Sequence, residues 1–587
     1  MTEEFSMVGK RITQVDAAAK ATGAARYTVD IKLPGMLIGR VLHSPYPHAK
    51  IKKIDKSKAE KLSGVEAVIT IDDTPKILWA RSFRDMPMAP SGSLQQSDEY
   101  ILADKARYVG DPVAAVAAVD EKTADEALDL IKVDYEKLPF VLDPWEAMKP
   151  GAPVIHDYAK NNIVVHATPP PFLVKGDVEK GFAESDVVAE GSFFVGKQVA
   201  CQMEPQVCVA SVDANGKITC YSPCQLAHPF RRELAKMFNK PVGMVNVVSP
   251  FVGGSFGTRL SCHNEPICVA LALKTHKPVK LEYTKEEDFT ATDTRTPHYY
   301  TVKMGFKKDG TLNALTIHTT TWSGGYLGRA QLAGGITLVW GLGHYRCPNT
   351  DGWCDVVYTN TTLGGAMRGY GNPEIMWGVE NVVDMAAEKL GIDPLELRLK
   401  NVKHAGEMSN MGLPIESSYI DDCIREGAER IDWKEKRGKR KEGKVRRGVG
   451  MATMTHCSGA WPLLIEHSNA FIKLNEDGTA NLTINPGSPG THVWGTLAQI
   501  AAEELGIPAE DIDIVTGSTD VTMFDLGSHA SRSTYVTGNA VLEAAQQAKA
   551  QLLERAAKML DVSPDELEVK NKQVYSKKAP QKSISVA

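Results

Sequence analysis

Over the first ~140 residues, short apolar runs alternate with polar segments at strand and helix spacings. Val65-Glu-Ala-Val-Ile-Thr70 is predicted as a strand. So is the apolar run Val113 to Val119, which follows a turn at Gly110-Asp-Pro112. Thr123-Ala-Asp-Glu126 has the spacing of a capping box, in which a hydroxyl and a carboxylate satisfy the free N–H groups of a helix start; it predicts a helix through Ile131. A proline-rich stretch from Pro139 to Pro171 closes this region, and a first domain is placed at 1–145.

Two internal echoes organise the rest. Ala386 to Asn401 matches Ala556 to Asn571 at eight of sixteen positions. A second pair shares the order helix, proline turn, β-rich strand: Pro229 through Pro241 to Val248, and Leu497 through Pro508 to Val515. Chance likeness of common units is the bland alternative; two echoes in one order favour duplicated α+β domains, placed at 150–405 and 450–587. Between them the run Lys434 to Arg447 could bind phosphate, but like charges broken by glycines read as a solvated linker. The last segment, Val574 to Ala587, has a strand–turn pattern with no helix to complete the echo, so the second domain is expected to be incomplete.

Composition narrows the class. The chain has 587 residues, 43% hydrophobic and 24% charged, which excludes disordered, collagenous and coiled-coil proteins. A net charge of −5 provides no basic field for nucleic acid. No run approaches the ~18 apolar residues of a membrane span. The ten cysteines contain no C-x-x-C spacing, so neither a zinc ribbon nor an iron–sulfur signature is present. Scattered cysteines and the absence of a secretory signal fit the cytoplasm.

Four glycine-rich loops are the candidate chemistry. Val245 to Thr258 runs from a β-branched strand into Gly253-Gly-Ser-Phe-Gly257, with a helix expected near Asn264 and Pro266 in its first turn. The others are Gly364 to Pro373, Gly487 to Thr491 and Asp525 to Gly538. Small residues let backbone N–H groups approach a ligand, and four such loops suggest one large polar guest. Dinucleotide and P-loop spacings are absent. Gly253 to Gly257 also fits G-x-S-x-G, so a serine hydrolase with Ser255 as nucleophile and His456, His492 or His529 as base is a competing reading.

Together these segments resemble the molybdenum-binding subunit of the xanthine dehydrogenase/aldehyde oxidase family, with a closer likeness to the large subunits of carbon monoxide dehydrogenase and 4-hydroxybenzoyl-CoA reductase. The residues that carry it are Tyr27 to His48 with Val109 to Pro112, then Gln198 through Met203-Glu-Pro205, Gly253 to Gly257, Arg368-Gly-Tyr-Gly371 and Ser528 to Ser533. The resemblance implies an α+β chain: an α/β hammerhead domain, then two molybdopterin-binding domains. It implies molybdenum on molybdopterin, held as the cytosine dinucleotide, with [2Fe-2S] and FAD carried by an iron–sulfur subunit and a FAD subunit. It also implies a hydroxylase mechanism, in which a glutamate activates the metal's hydroxide, hydride passes to a sulfido ligand and electrons leave through the clusters.

By position, Gln198 would bond the apical oxo ligand, and Phe256, Arg368 and Ala530 would line the metal. Gly253, Gly254, Gly257, Gly490, Thr491, Ser531 and Ser533 complete the expected cofactor contacts. Tyr370 takes the substrate-clamp position. Several positions depart from the family. Leu260 stands where the purine enzymes have a glutamate, and Ile336 near where they have an arginine, which disfavours xanthine. Thr491 replaces a glutamine. The base glutamate belongs to a G-x-G-E stretch that is not found, so the catalytic residue is unassigned and a separate subunit carrying the carboxyl-terminal lobe is expected to supply it. A non-catalytic homologue is the rival reading.

Overall fold

Strands arise where β-branched and small apolar residues run together: Val65–Thr70 and Pro112–Ala118 are both strands, the second buried from Val113 onward. The computed structural model describes residues 5–81, 96–439, 443–462 and 465–587; residues 440–442 of the basic run lie outside these. The helix that follows is Glu121–Leu130, but its cap is not Thr123. Asp120, in extended backbone, accepts the Thr123 N–H at 2.8 Å and leaves Thr123 inside the first turn. A carboxylate directly after a strand reaches the free amides and complements the helix dipole, so it displaces the predicted hydroxyl.

The amino-terminal strands do not close on themselves. Leu37–His43 pairs antiparallel with Pro112–Ala118 on one side and parallel with Val279–Glu282 on the other. The sheet continues through Val207–Val212, Ile218–Tyr221 and Val245–Val248, seven strands in all. A smaller three-stranded sheet, Lys105–Ala106, Ala49–Asp55 and Lys132–Lys137, completes the first region. Five strands (Ile163–Ala167, Asn349–Tyr358, Leu312–Gly324, His298–Phe306 and Val187–Val195) make the next sheet. Helices Ala330–Gly343 and Asn372–Leu390 belong to the same core, where Val302, Ile317, Leu338, Trp340 and Val379 are buried together.

One echo is a structural repeat. In the first copy, the hairpin Val207–Val212/Ile218–Tyr221 leads through helix Ala227–Met237 and a single turn, Val242–Met244, to strand Val245–Val248. That strand lies parallel to the hairpin's second strand. In the second copy the same order is Phe471–Leu474/Ala480–Thr483, Val493–Leu505, Ala509–Asp511 and Ile512–Val515, again with the parallel pairing. The other echo diverges. After its proline the first copy is a helix, Pro394–Asn401, whereas the second makes one turn, Pro564–Glu566, and then the strand Leu567–Lys570. That strand starts a three-stranded sheet with Gln573–Ser576 and Ala579–Ser585.

The two halves are joined at the edge of the seven-stranded sheet. The Ser249 N–H donates to Gly517 O at 2.6 Å and the Thr519 N–H to Val247 O at 3.0 Å. All ten cysteines are free thiols. Among the described residues no helix is long and apolar enough to cross a membrane.

Candidate active site

The glycine loops converge at one cleft, the first leaving a strand and the third and fourth leading into helices. The first leaves strand Val245–Val248 and turns at Phe256 (φ +56°) and Gly257 (φ +103°). Its shape is set from behind. Arg259, buried, donates to Gly254 O at 2.8 Å and Glu204 O at 2.6 Å, and the Glu204 carboxylate accepts the Gly253 N–H at 2.8 Å and the Thr28 N–H at 3.1 Å. Burial pushes the Glu204 carboxyl above its ordinary range. Gly253 is required by close approach, since a Cβ there would lie 2.4 Å from the Glu204 Cβ.

The second loop begins at Gly364–Gly365, paired in parallel with Thr294–Arg295. Its Arg368 N–H donates to Phe256 O at 2.7 Å, which links it to the first loop. Arg295 anchors it: Nη2 donates to Arg368 O at 2.8 Å and Nη1 pairs with buried Glu374 at 2.8 Å. The Tyr370 hydroxyl donates to Arg329 O, and Trp340 Nε1 donates to Tyr370 O at 3.2 Å. The third loop precedes helix Val493–Leu505 and contains Gly490 at φ +99°. The fourth holds Ala530 (φ +46°) and Ser531 (φ +54°) before helix Gly538–Leu560. Buried Arg532 fixes it by donating to Gly527 O at 2.8 Å and His467 O at 2.7 Å and by pairing with Glu466 and Asp525.

A cavity of about 630 Å³ occupies the meeting point. Phe256, Gly257, Leu260, Arg368, Tyr370, Gly490, Thr491, Ala530, Ser531 and Ser533 all line it. Gly253 and Gly254 do not; they shape the loop behind it. Gln198 is also absent from the lining, because its Oε1 is engaged by Arg295 Nε at 3.3 Å.

The amide on the cavity is Gln225, for which no motif in the sequence speaks. Its Oε1 accepts from Ser255 Oγ, its Nε2 donates to Ser528 O at 2.5 Å, and its C=O accepts the Ser528 N–H at 3.1 Å, stapling the first loop to the fourth. The signal available was a lone amide between strand Ile218–Tyr221 and helix Ala227–Met237. Ser255 is therefore not a nucleophile poised by histidine: its buried hydroxyl is spent on an amide, and among the described residues no imidazole bonds it.

Among the described residues the lining carries Arg329, Arg368, His456 and His529 and no Asp or Glu. Burial, with Arg532 and Arg329 nearby, pushes His529 down to about 3, so it is neutral at physiological pH. Its Nε2 and, at the third loop, Asn485 Nδ2 and Ser488 Oγ are buried without partners among the described residues. Open glycine backbone, orphaned polar atoms and a positive lining suit a large anionic guest with many acceptors. At one end Leu260, Leu332, Ile336, Trp340 and Met411 make an apolar wall beside Tyr370.

Paired α+β repeats closing glycine loops over such a cavity define a molybdopterin-binding subunit. Residues 155–402 and 426–587 each match the molybdopterin cofactor-binding domain, and residues 22–139 match the a/b hammerhead domain of aldehyde oxidase and xanthine dehydrogenase. The chain is 33% identical to the putative xanthine dehydrogenase molybdenum-binding subunit XdhA of Escherichia coli over 94% of its own length and 73% of that protein's. It is 29% identical to the carbon monoxide dehydrogenase large chain of Afipia carboxidovorans, covering 96% and 73% of the two chains. The crystal structure of quinoline 2-oxidoreductase from Pseudomonas putida 86 superposes with a TM-score of 0.88 at 25% identity, covering 99% of this chain and 75% of that one. The chain belongs to the xanthine dehydrogenase/aldehyde oxidase family of molybdenum-dependent oxidoreductases, as a molybdopterin-binding large subunit.

Proposed function

We propose that this subunit works in a cytoplasmic multi-subunit molybdenum hydroxylase acting on an aromatic, heteroaromatic or aldehyde carbon, with [2Fe-2S] and FAD on partner subunits. The observation that carries the substrate class is the apolar wall around Tyr370, where Leu260 and Ile336 put apolar side chains at the two positions expected to carry a purine-reading glutamate and arginine. A flat ring or small carbonyl compound gains from burial against Trp340 and Tyr370.

The cofactor is proposed to be molybdopterin, as the cytosine dinucleotide, and the cavity residues support its pterin part. Backbone at Gly257, Gly490, Ala530 and Ser531, with the hydroxyls of Thr491 and Ser533, would hold the pterin. Gln225, rather than Gln198, would present the amide beside the metal, with Phe256 and Arg368 packed at its other sides. When bound, the group supplies a two-electron redox centre and a Lewis acid. The chain's own part is to exclude water with the apolar wall and to orient the ring at Tyr370. Among the described residues the cavity lining has no carboxylate to take up a proton, and His529 is too weak a base, so the base is proposed to come from a group outside this lining.

Purification of the complex followed by metal analysis and pterin fluorescence after oxidation tests this reading. Molybdenum and pterin in near-equal amounts per chain are expected. A complex that assembles with neither would establish the non-catalytic homologue, which the missing carboxylate and Thr491 favour.

A further inference from the structure

A second cavity, of about 770 Å³, shares no lining residue with the candidate active site. It lies between the end of helix Pro394–Asn401, the segment entering strand Asn349–Tyr358, and the loop from Lys403 to Met408. Its charged lining is Lys175, Arg346, Lys400, Lys403 and Glu407, so four cations face one carboxylate. That carboxylate is shared: its Oε1 stands 3.8 Å from Arg346 Nε, and its Oε2 accepts the His404 N–H at 2.7 Å and lies 3.8 Å from His404 Nδ1. Lys400 is paired outside the cavity with Asp309 at 2.9 Å.

Lys175 and Lys403 are left over. Neither forms an ion pair or a side-chain hydrogen bond among the described residues. The helix end does not account for them, because Arg346 already serves its last carbonyls: its N–H donates to Asn401 O at 2.8 Å and its Nη2 to Lys400 O at 2.5 Å. Lys403 is held in place, since Val402 bridges to Tyr345 and Ser418 Oγ donates to Lys403 O at 3.3 Å. Burial, helped by Lys175 and only partly opposed by the charge of Glu407, pushes the Lys403 amine down to about 8. Two mutually repelling ammonium groups kept at a sheltered cavity cost free energy that an anion between them would offset.

We infer that this cavity is a binding site for a small molecule bearing a phosphate or diphosphate group, gripped by Lys175 and Lys403 with Arg346 at its edge. Ammonium point charges and a guanidinium suit phosphate oxygens, and the volume is that of a small-ligand pocket. The site is separate from the metal chemistry and does not depend on the reading of that chemistry.

The test uses the full chain with inorganic pyrophosphate as probe. Acetylation of lysines at mildly alkaline pH, mapped by peptide mass spectrometry, should modify Lys403 faster than Lys400, and pyrophosphate should slow Lys403 about tenfold relative to chloride of equal ionic strength. Titration calorimetry should show a pyrophosphate site that Lys175→Ala with Lys403→Ala weakens at least about tenfold. Equal Lys403 labelling in pyrophosphate and chloride would overturn the proposal, whatever becomes of the double variant's folding. Protection by an acidic peptide but not by pyrophosphate would also overturn it, in favour of a protein partner.

Discussion

Asp98 sits on the seam between the amino-terminal region and the five-stranded sheet. Its Oδ2 accepts the Leu327 N–H and the Tyr358 hydroxyl, each at 2.7 Å, while its buried Oδ1 meets no donor. Burial raises its carboxyl to about 6. The folded state therefore holds the proton more tightly than the unfolded chain. The stabilising contribution is whole below about pH 4 and is lost as pH rises through about 6, each tenfold difference in proton affinity being worth ~1.4 kcal/mol. Asp98→Asn keeps an acceptor without a charge. Urea unfolding from about pH 4 to pH 7 should show the variant gaining on the wild type by on the order of 2–3 kcal/mol. A difference that stays flat with pH would contradict this. A second residue-scale effect is steric. Gly253→Ala puts a Cβ against the Glu204 Cβ, which cannot swing away, and should cost about 1–3 kcal/mol of stability and lower the molybdenum content of the purified complex.

At the scale of elements, one motif takes two forms. Asp393-Pro-Leu-Glu-Leu and Ser563-Pro-Asp-Glu-Leu share a proline start, yet only the first becomes a helix. The Asp393 carboxylate accepts the Leu395 N–H at 2.8 Å and also receives Trp433 Nε1 at 3.0 Å, whereas the Ser563 side chain makes no cap bond. Arg398, buried against Glu380 at 2.8 Å and Asp384 at 2.7 Å, holds the helix down; the second copy has Glu568 there and alternates Leu567 and Val569 into a sheet. Asp393→Ala should therefore cost about 1–2 kcal/mol and loosen Trp433, readable as a red shift of its fluorescence in a chain carrying the other tryptophans unchanged. Helix and strand periods were readable wherever apolar residues alternated. The identity of a cap was not, because Asp120 and Thr123 are both good caps and it is Asp120 whose backbone is extended where the helix starts.

At the scale of the molecule, the cleft depends on how the two halves are joined. Thr519 Oγ1 accepts the Val247 N–H at 2.9 Å and lies 3.1 Å from Asn246 Oδ1, while its own N–H pairs with Val247 O. Thr519→Val removes the acceptor and strands a buried amide, at about 1–3 kcal/mol. Amide exchange should then quicken at Val247 and Ser249 together, with the five-stranded sheet unaffected. Quickening confined to Val247 would mean that the junction is not cooperative.

The linear order of residues by itself determined the four glycine loops, the repeat of helix, proline turn and strand, and the family, since each rests on local spacing and backbone permissiveness. Only the tertiary structure decided which amide faces the cavity. Gln198 and Gln225 are chemically alike, and it is Arg295, distant from both in the chain, that engages one, while Ser255 and Ser528 hold the other on the cavity. The carboxylate-free lining and the basic second cavity were equally invisible along the chain, because charge balance at a site is set by which neighbours folding brings within reach.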